Sequence, residues 1–321
     1  MRFGIIGTNF ISDAFVEACR KSGKAEPYAV FSRAEETGRS FALKNGIDTV
    51  YTDYEKMLAD ELVEAIYIAS PTMCHLQQAK SALECGKAVL CEKMITATLD
   101  EFYELKDCIS LHEGILIEAM RPDFDRLADA LRCELEDAGA VRDAYFEFRQ
   151  YSRRYDKFKE GIIMNAFDPS MKNSTLADIG IYPLHLCISL FGEPLSVTSR
   201  ASFLHNGFMA DGISTLHYDG FDAKVVYSKI VEGENVSKIL TDKKELILNK
   251  VSEPISLTVT GTVEKIYEKP QGDSNMENEV AEFVRIVTEG DRAKADKLLA
   301  VTEATMRTVH EIYRECGVIF N

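Results

Sequence analysis

The sequence predicts an α/β protein with two domains. The first is built on a doubly wound parallel sheet, and the second is an α+β domain with an open mixed or antiparallel sheet. Continuously apolar strands alternate with helical segments through the first third of the chain, and this pattern changes after about residue 122. A chain of 321 residues also exceeds the ~250–300 residues at which one core stops growing. We therefore expect domains at residues 1–121 and 122–321.

The expected strands of the first domain are apolar along their whole length and are separated by helical spacing. They are predicted at residues 2–6, 27–32, 49–51, 65–70, 87–91 and 115–119. Helices are predicted at 10–21, 34–45, 73–85 and 99–111, with a further helix opened by Asp53. Strands separated by helices of this length pair in parallel through crossover connections, and helices cover both faces of such a sheet.

Alternation of apolar and polar residues marks the strands of the second domain. They are predicted at 144–152, 195–204, 212–218, 223–231, 237–249 and 255–260. Helices are predicted at 124–137, after Asp178, and over 276–314 with a break at Gly290-Asp291. Alternation indicates a sheet with one exposed face. A partly apolar exposed face is often covered by a second subunit, so we expect a homodimer or homotetramer formed through this sheet.

Composition excludes several classes of partner. The formal net charge is −15, from 37 basic and 52 acidic residues, which disfavours binding to nucleic acid and to anionic membranes. The apolar runs are shorter than the ~20 residues that span a bilayer. Eight cysteines without a C-x-x-C pair, and no secretory leader, indicate reduced thiols in a cytoplasmic protein. The six histidines form no metal-binding motif, so no metal is expected.

The turn after the first strand is a candidate pyrophosphate site. It reads Gly7-x-Asn9-x-x-Ser12, where a dinucleotide fingerprint has G-x-G-x-x-G/A. Asn tolerates positive φ, and Ser is small enough for close packing of helix on strand. The alternative is an ordinary strand–helix turn. The candidate residues are Gly7, Thr8, Asn9, Phe10 and Ile11.

The end of the second strand favours NADP over NAD as the cofactor. An acidic residue there would bind the 2′-hydroxyl of NAD, but this chain has Ser32-Arg33. A hydroxyl and a guanidinium bind a 2′-phosphate well. The alternative is that Arg33 only pairs with Glu35 or Glu36 on the surface.

Two segments resemble the Gfo/Idh/MocA family of dehydrogenases. Residues 67–94, YIASPTMCHLQQAKSALECGKAVLCEKM, are similar to the family's strand-turn-His segment and its "GKHVLCEKP" motif. Residues 176–185, LADIGIYPLH, resemble its D-x-G-x-[YH] segment. The Tyr form of this segment resembles the branch of dimeric dihydrodiol dehydrogenase and glucose–fructose oxidoreductase. The resemblance implies a Rossmann domain followed by a substrate domain.

The resemblance also implies roles for particular residues. Lys93 would polarise a substrate oxygen, and Tyr182 would give or take the hydroxyl proton. Asp178 would accept a hydrogen bond from a substrate hydroxyl or orient Lys93, and His185 is a candidate second proton donor. The further cofactor-binding residues implied are Ser70, Pro71, Thr72, His75, Glu92 and Lys93, with His75 holding backbone carbonyls rather than reacting.

These observations predict an NAD(P)-dependent oxidoreductase acting on a sugar, cyclitol or vicinal diol. Three departures from the family pattern leave an alternative open, a dinucleotide-binding sensor without turnover. Asn9 replaces a glycine, and residues 172–175 replace a glycine-rich stretch expected to line the cleft. Met94 replaces a proline that often follows a cis bond. A cis bond before Met costs about 3–4 kcal/mol, so a trans bond and a shifted Lys93 are possible outcomes.

Overall fold

The computed structural model describes residues 1–320 of the chain. The strands are β1 (Arg2–Ile6), β2 (Glu26–Phe31), β3 (Thr49–Tyr51), β4 (Ala65–Ile68), β5 (Ala88–Glu92), β6 (Leu116–Ala119), β7 (Val141–Arg149), β8 (Ser196–Phe203), β9 (Met209–Tyr218), β10 (Phe221–Ser228), β11 (Val236–Thr241), β12 (Glu245–Asn249), β13 (Ser256–Thr260) and β14 (Lys265–Glu268). The α-helices are α1 (Phe10–Ser22), α2 (Glu35–Asn45), α3 (Tyr54–Leu58), α4 (His75–Glu84), α5 (Leu99–Leu111), α6 (Arg126–Leu135), α7 (Arg153–Lys159), α8 (Ile181–Phe191), α9 (Asn275–Glu289) and α10 (Arg292–Glu315).

The first sheet has six parallel strands in the order β3-β2-β1-β4-β5-β6. This is the strand order of a dinucleotide-binding fold. The chain adds strands on one side of β1 as far as β3 and then continues on the other side with β4, so the strand order reverses between β1 and β4. Phe3, Phe15 and Tyr67 are fully buried against one another, with the rings of Phe15 and Tyr67 stacked 3.7 Å apart. The predicted doubly wound parallel sheet is therefore confirmed.

The chain forms two compact units that do not follow one simple division of the sequence. The first unit comprises residues 1–120 and 274–300, and the second comprises 121–273 and 301–321. Residues 274–300 belong to the first unit, although they come after most of the second unit in the sequence. The reason is that α9 packs on α1 and places Phe283, fully buried, with its ring 5.6 Å from that of Phe3.

The second unit contains an eight-stranded mixed sheet in the order β14-β13-β12-β11-β7-β10-β9-β8. Only β7 and β10 pair in parallel, as the described strands show. The predicted strand at 237–249 is two strands, β11 and β12, because the chain turns at Asp242-Lys243. The short edge strand β14 was not predicted.

None of the helices in the described part of the chain is both long and apolar enough to cross a bilayer.

Candidate active site

A cavity of about 590 Å³ opens at the carboxyl edge of the first sheet, where β1, β2 and β4 end. This is the edge at which open α/β sheets bind ligands. Among its lining residues in the described chain, none is acidic and Arg33 is the one charged side chain, in a protein of net charge −15. The lining residues are Ile6, Gly7, Thr8, Asn9, Phe31, Ser32, Arg33, Ala34, Thr37, Ala69, Ser70, Pro71, Cys74 and Gln78. The cavity therefore suits an anionic ligand.

Gly7 makes the sharp turn between β1 and α1. Its φ is +102°, and a Cβ there would lie 2.5 Å from the carbonyl oxygen of Ala69. No other residue type can occupy this position without moving the end of β4. The phosphate-binding turn thus keeps the glycine that its geometry demands.

Asn9 has a different role from the one that the sequence predicted. Its φ is −95°, so tolerance of positive φ is not the reason for its presence. Its side chain caps α1 by accepting hydrogen bonds from the backbone N–H groups of Ile11 and Ser12, and it donates one to the carbonyl of Ala69 at 2.8 Å. The folded-back amide leaves the cavity open. It also occupies two of the helix donors that an anion would otherwise use.

The end of β2 presents the residues that were predicted to select the cofactor. Ser32 is half-buried, with its hydroxyl donating to the carbonyl of Ala34, and Arg33 is exposed. Within residues 1–320, Arg33 has no ion-pair partner, and Glu35 pairs with Arg39 at 2.7 Å instead. The surface pairing considered as the alternative for Arg33 is therefore absent from the described chain. The N-terminus of α2, which begins after Ala34 without a side-chain cap, also faces the cavity and favours negative charge.

His75 lies between the two loops that follow β4 and β5. Its ring is buried, with the two nitrogens each 2.9 Å from a carbonyl oxygen, one of Ser70 and one of Met94. Burial lowers the pKa of His75, and a neutral imidazole can donate to only one of these two carbonyls. The ring therefore lies between the two loops, in contact with a backbone carbonyl of each.

Lys93 lies half-buried directly after β5. The peptide bond between Lys93 and Met94 is cis, so the trans bond considered from the sequence is not found. Glu92, the residue before it, is buried and accepts a hydrogen bond from the hydroxyl of Tyr67 at 2.6 Å. Six of the predicted cofactor residues do not line the cavity. They are Phe10, Ile11, Thr72, His75, Glu92 and Lys93.

In the second unit, the segment that carries Asp178 is a π-helical turn over Leu176–Gly180, followed directly by α8. The sequence predicted a helix after Asp178, and α8 begins at Ile181. Gly180 packs so tightly on Tyr227 that a Cβ would lie 2.7 Å from its ring. Short π-helical turns are common at functional sites. The residues just before this turn are structural, because Ser174 and Thr175 are buried and bind Tyr313 and the carbonyl of Ala210.

Lys229 is a functional candidate that the sequence did not reveal. Its side chain is buried, and its ammonium lies 2.8 Å from a carboxylate oxygen of Asp178 and donates to the carbonyl of Ala166 at 2.7 Å. The same ammonium lies over the rings of Phe167 and Phe208, 4.7 and 5.4 Å from their centroids. The available signal was a Lys beside the apolar residues of a predicted strand, but its partner, Asp178, is 51 residues earlier in the sequence.

Tyr182 and His185 lie on α8 and differ in their surroundings. The Tyr182 ring is buried, and the guanidinium of Arg121 lies 6.0 Å from its centroid. His185 is fully buried, with Nε2 2.7 Å from the carboxylate of Asp123 and Nδ1 3.3 Å from the hydroxyl of Thr305. Both ring nitrogens are thus engaged within the second unit, which favours a positioning role over proton donation to a substrate.

Comparison with known proteins identifies the relatives of this chain. Residues 1–119 match the oxidoreductase family with an NAD-binding Rossmann fold, Gfo/Idh/MocA. The chain is 31% identical to scyllo-inositol 2-dehydrogenase (NADP(+)) IolU of Bacillus subtilis over 323 residues, covering 100% of this chain and 98% of the relative. The chain belongs to the Gfo/Idh/MocA family.

Other members of the Gfo/Idh/MocA family agree with this assignment. Human trans-1,2-dihydrobenzene-1,2-diol dehydrogenase is 28% identical over 272 residues, 81% of this chain and 78% of the relative. The structure of levoglucosan dehydrogenase in complex with NADH and levoglucosan shares the fold, with a TM-score of 0.85 at 16% identity, covering 98% of each chain. The resemblance found in the sequence motifs is confirmed, and the protein is an oxidoreductase of this family.

Proposed function

We propose that the protein is an NADP-preferring oxidoreductase that interconverts a secondary alcohol and a ketone, or a lactol and a lactone, in a small polyhydroxylated molecule. The cavity at the edge of the first sheet carries this proposal, because it combines the Gly7 turn with Ser32 and with Arg33, which has no ion-pair partner among residues 1–320. The substrate class is supported by a 31% identical relative named as an inositol dehydrogenase that uses NADP⁺. Sugars, cyclitols and vicinal diols belong to this class.

The cavity fits a nicotinamide dinucleotide bearing a 2′-phosphate. Gly7 and Thr8 would meet the pyrophosphate, while Ser32, Arg33 and the N-terminus of α2 would hold the 2′-phosphate. When bound, the nicotinamide supplies the acceptor or donor of the electron pair in the alcohol–carbonyl reaction.

The residues of the chain supply the proton chemistry in this proposal. The Lys93 ammonium would donate a hydrogen bond to the substrate oxygen and stabilise negative charge that develops on it. Tyr182 would take the hydroxyl proton during oxidation and return it during reduction. Asp178, held by Lys229, would accept a hydrogen bond from a neighbouring substrate hydroxyl. A polyhydroxylated substrate offers the several hydroxyls that these groups require.

Arg33 is expected to set the cofactor preference. We expect nicotinamide fluorescence titrations to show tighter binding of NADPH than of NADH, and Arg33→Ala to weaken NADPH binding by about tenfold, the value of a charge-assisted hydrogen bond. NADH binding should be unchanged in that variant. Arg39→Ala is the matched control, since this exposed arginine pairs with Glu35 and lies outside the cavity lining. Equal effects of both variants would overturn the assignment of Arg33.

Turnover separates the proposed enzyme from a sensor that binds NADPH without reacting. The protein with NADP⁺ should oxidise at least one member of a panel of inositols, aldoses, anhydro sugars and vicinal diols, with NADPH formation as the readout. Tight NADPH binding with no turnover across the panel would favour the sensor. Absence of NADPH binding would remove both proposals.

We also propose that the exposed face of the second sheet joins copies of the chain into a homodimer or homotetramer. Ile213, Leu240 and Ile266 are 42%, 49% and 62% exposed, and the strand register places them on one face. Ile213→Lys is expected to reduce the mass measured by light scattering to that of a monomer. Leu43→Lys, at an 86% exposed site on α2, should leave the mass unchanged. A wild-type monomer would contradict the proposal.

A further inference from the structure

Helices α4 and α5 face each other through a ladder of side chains one turn apart. In one rung, Lys80 of α4 and Glu104 of α5 form an ion pair at 2.5 Å. One turn further along both helices, Glu84 stands opposite Cys108, and His112 follows four residues later where α5 ends. A carboxylate and a thiol cannot form an ion pair with each other. This second rung therefore lacks the cation that the first one has.

The three side chains of this rung bring one ligand atom each to a common place. A carboxylate oxygen of Glu84, the sulfur of Cys108 and a ring nitrogen of His112 all lie within 4.8 Å of one another. Within residues 1–320, none of the three side chains has a hydrogen-bond or ion-pair partner. Glu84 and His112 are exposed, and Cys108 is buried beneath them.

The electrostatics of the cluster favour a cation. Burial and the Glu84 carboxylate raise the pKa of the Cys108 thiol, because the thiolate would be a second negative charge beside the first. Lys80, the cation of the first rung, already forms an ion pair with Glu104. A divalent metal would neutralise both anionic ligands at once, and the thiol proton would leave to solvent on binding.

We propose that Glu84, Cys108 and His112 form a binding site for Zn²⁺ that clamps α4 to α5. Thiolate, imidazole and carboxylate are the ligands that Zn²⁺ prefers, and three protein ligands leave a fourth tetrahedral position for water. The sequence motifs had predicted no metal site. Cys108 and His112 are four residues apart in the sequence, but the third ligand, Glu84, comes from another helix, so spacing along the chain does not show the complete site. The site is separate from the residues that line the cofactor cavity.

Cobalt binding tests the proposal with a readout that does not involve activity. We expect chelator-treated protein to bind one equivalent of Co²⁺ with a thiolate-to-cobalt charge-transfer band, and Zn²⁺ to displace it and raise the Tm. Cys108→Ser should abolish the band. His112→Ala, at an exposed position that leaves folding intact, should weaken Co²⁺ affinity at least about tenfold.

Cys85→Ser is the matched control, because Cys85 is an exposed cysteine next to Glu84 and is not part of the cluster. It should bind Co²⁺ like the wild type. A wild-type titration without the band, a band that persists in Cys108→Ser, or a band lost in Cys85→Ser would each overturn the proposal.

Discussion

Lys93→Met is expected to lower kcat by at least about 10³-fold, the combined loss of an oxyanion-stabilising donor and of proton-transfer assistance. NADPH affinity should change little, since Lys93 does not line the cavity that would hold the cofactor. Stopped-flow turnover and fluorescence titration on the same preparation measure the two quantities separately. The side chains have similar length, so the change removes mainly the charge.

Two companion variants sharpen this test. Tyr182→Phe removes only a hydroxyl, and if it acts with Lys93 on one proton, the double variant should lose little more than either single variant. Lys56→Met, at a lysine whose side chain is 76% exposed on α3, is the control for loss of a positive charge. Normal turnover by Lys93→Met would contradict the catalytic role of Lys93.

Lys229→Met should cost both stability and activity. Removing the buried ammonium takes an ion pair from Asp178 and a hydrogen bond from the Ala166 carbonyl. The expected loss of unfolding free energy is about 3 kcal/mol, the low end for breaking a buried pair, because the Asp178 side chain is 36% exposed and can be hydrated. The kcat/KM should fall by about 10²-fold, as a misplaced positioning group implies.

A double-mutant cycle separates positioning from simple destabilisation. Asp178→Asn in the Lys229→Met background removes the carboxylate that has lost this ammonium, so it should recover part of the stability but none of the activity. Lys229→Arg keeps the charge and should rescue part of kcat/KM. Lys297→Met, at an exposed lysine of α10, should match the wild type in both measurements. If activity returned together with stability in the double variant, the role of Lys229 would be structural only.

The first sheet was predictable because its signals are local. Helical segments that end before Gly46 and Gly86 alternate with apolar strands, and the predicted helix at 99–111 has the bounds that the structure shows. Strand β14 was missed because an edge strand of four residues is too short to show a pattern of its own. The placement of α9 depends on Phe283 meeting Phe3, a contact across the whole length of the sequence that periodicity cannot indicate.

The candidate site was predictable in its motifs but not in its contacts. Gly7, Ser32 and Arg33 were candidates because they lie where predicted strands end, and all three line the cavity. The sequence could not show that Asn9 caps α1, since its side chain could equally have turned toward the ligand. Lys229 and Asp178 form a pair through tertiary packing alone.

The return of α9 to the first sheet constrains how the chain folds during synthesis. When residue 120 leaves the ribosome, all six strands of the first sheet have been made, but the helix that covers Phe3 has not. At roughly 5–20 residues per second, the ribosome needs on the order of 10–30 s more to reach Glu289. The nascent amino-terminal third therefore waits with part of its core uncovered until Glu289 has been made.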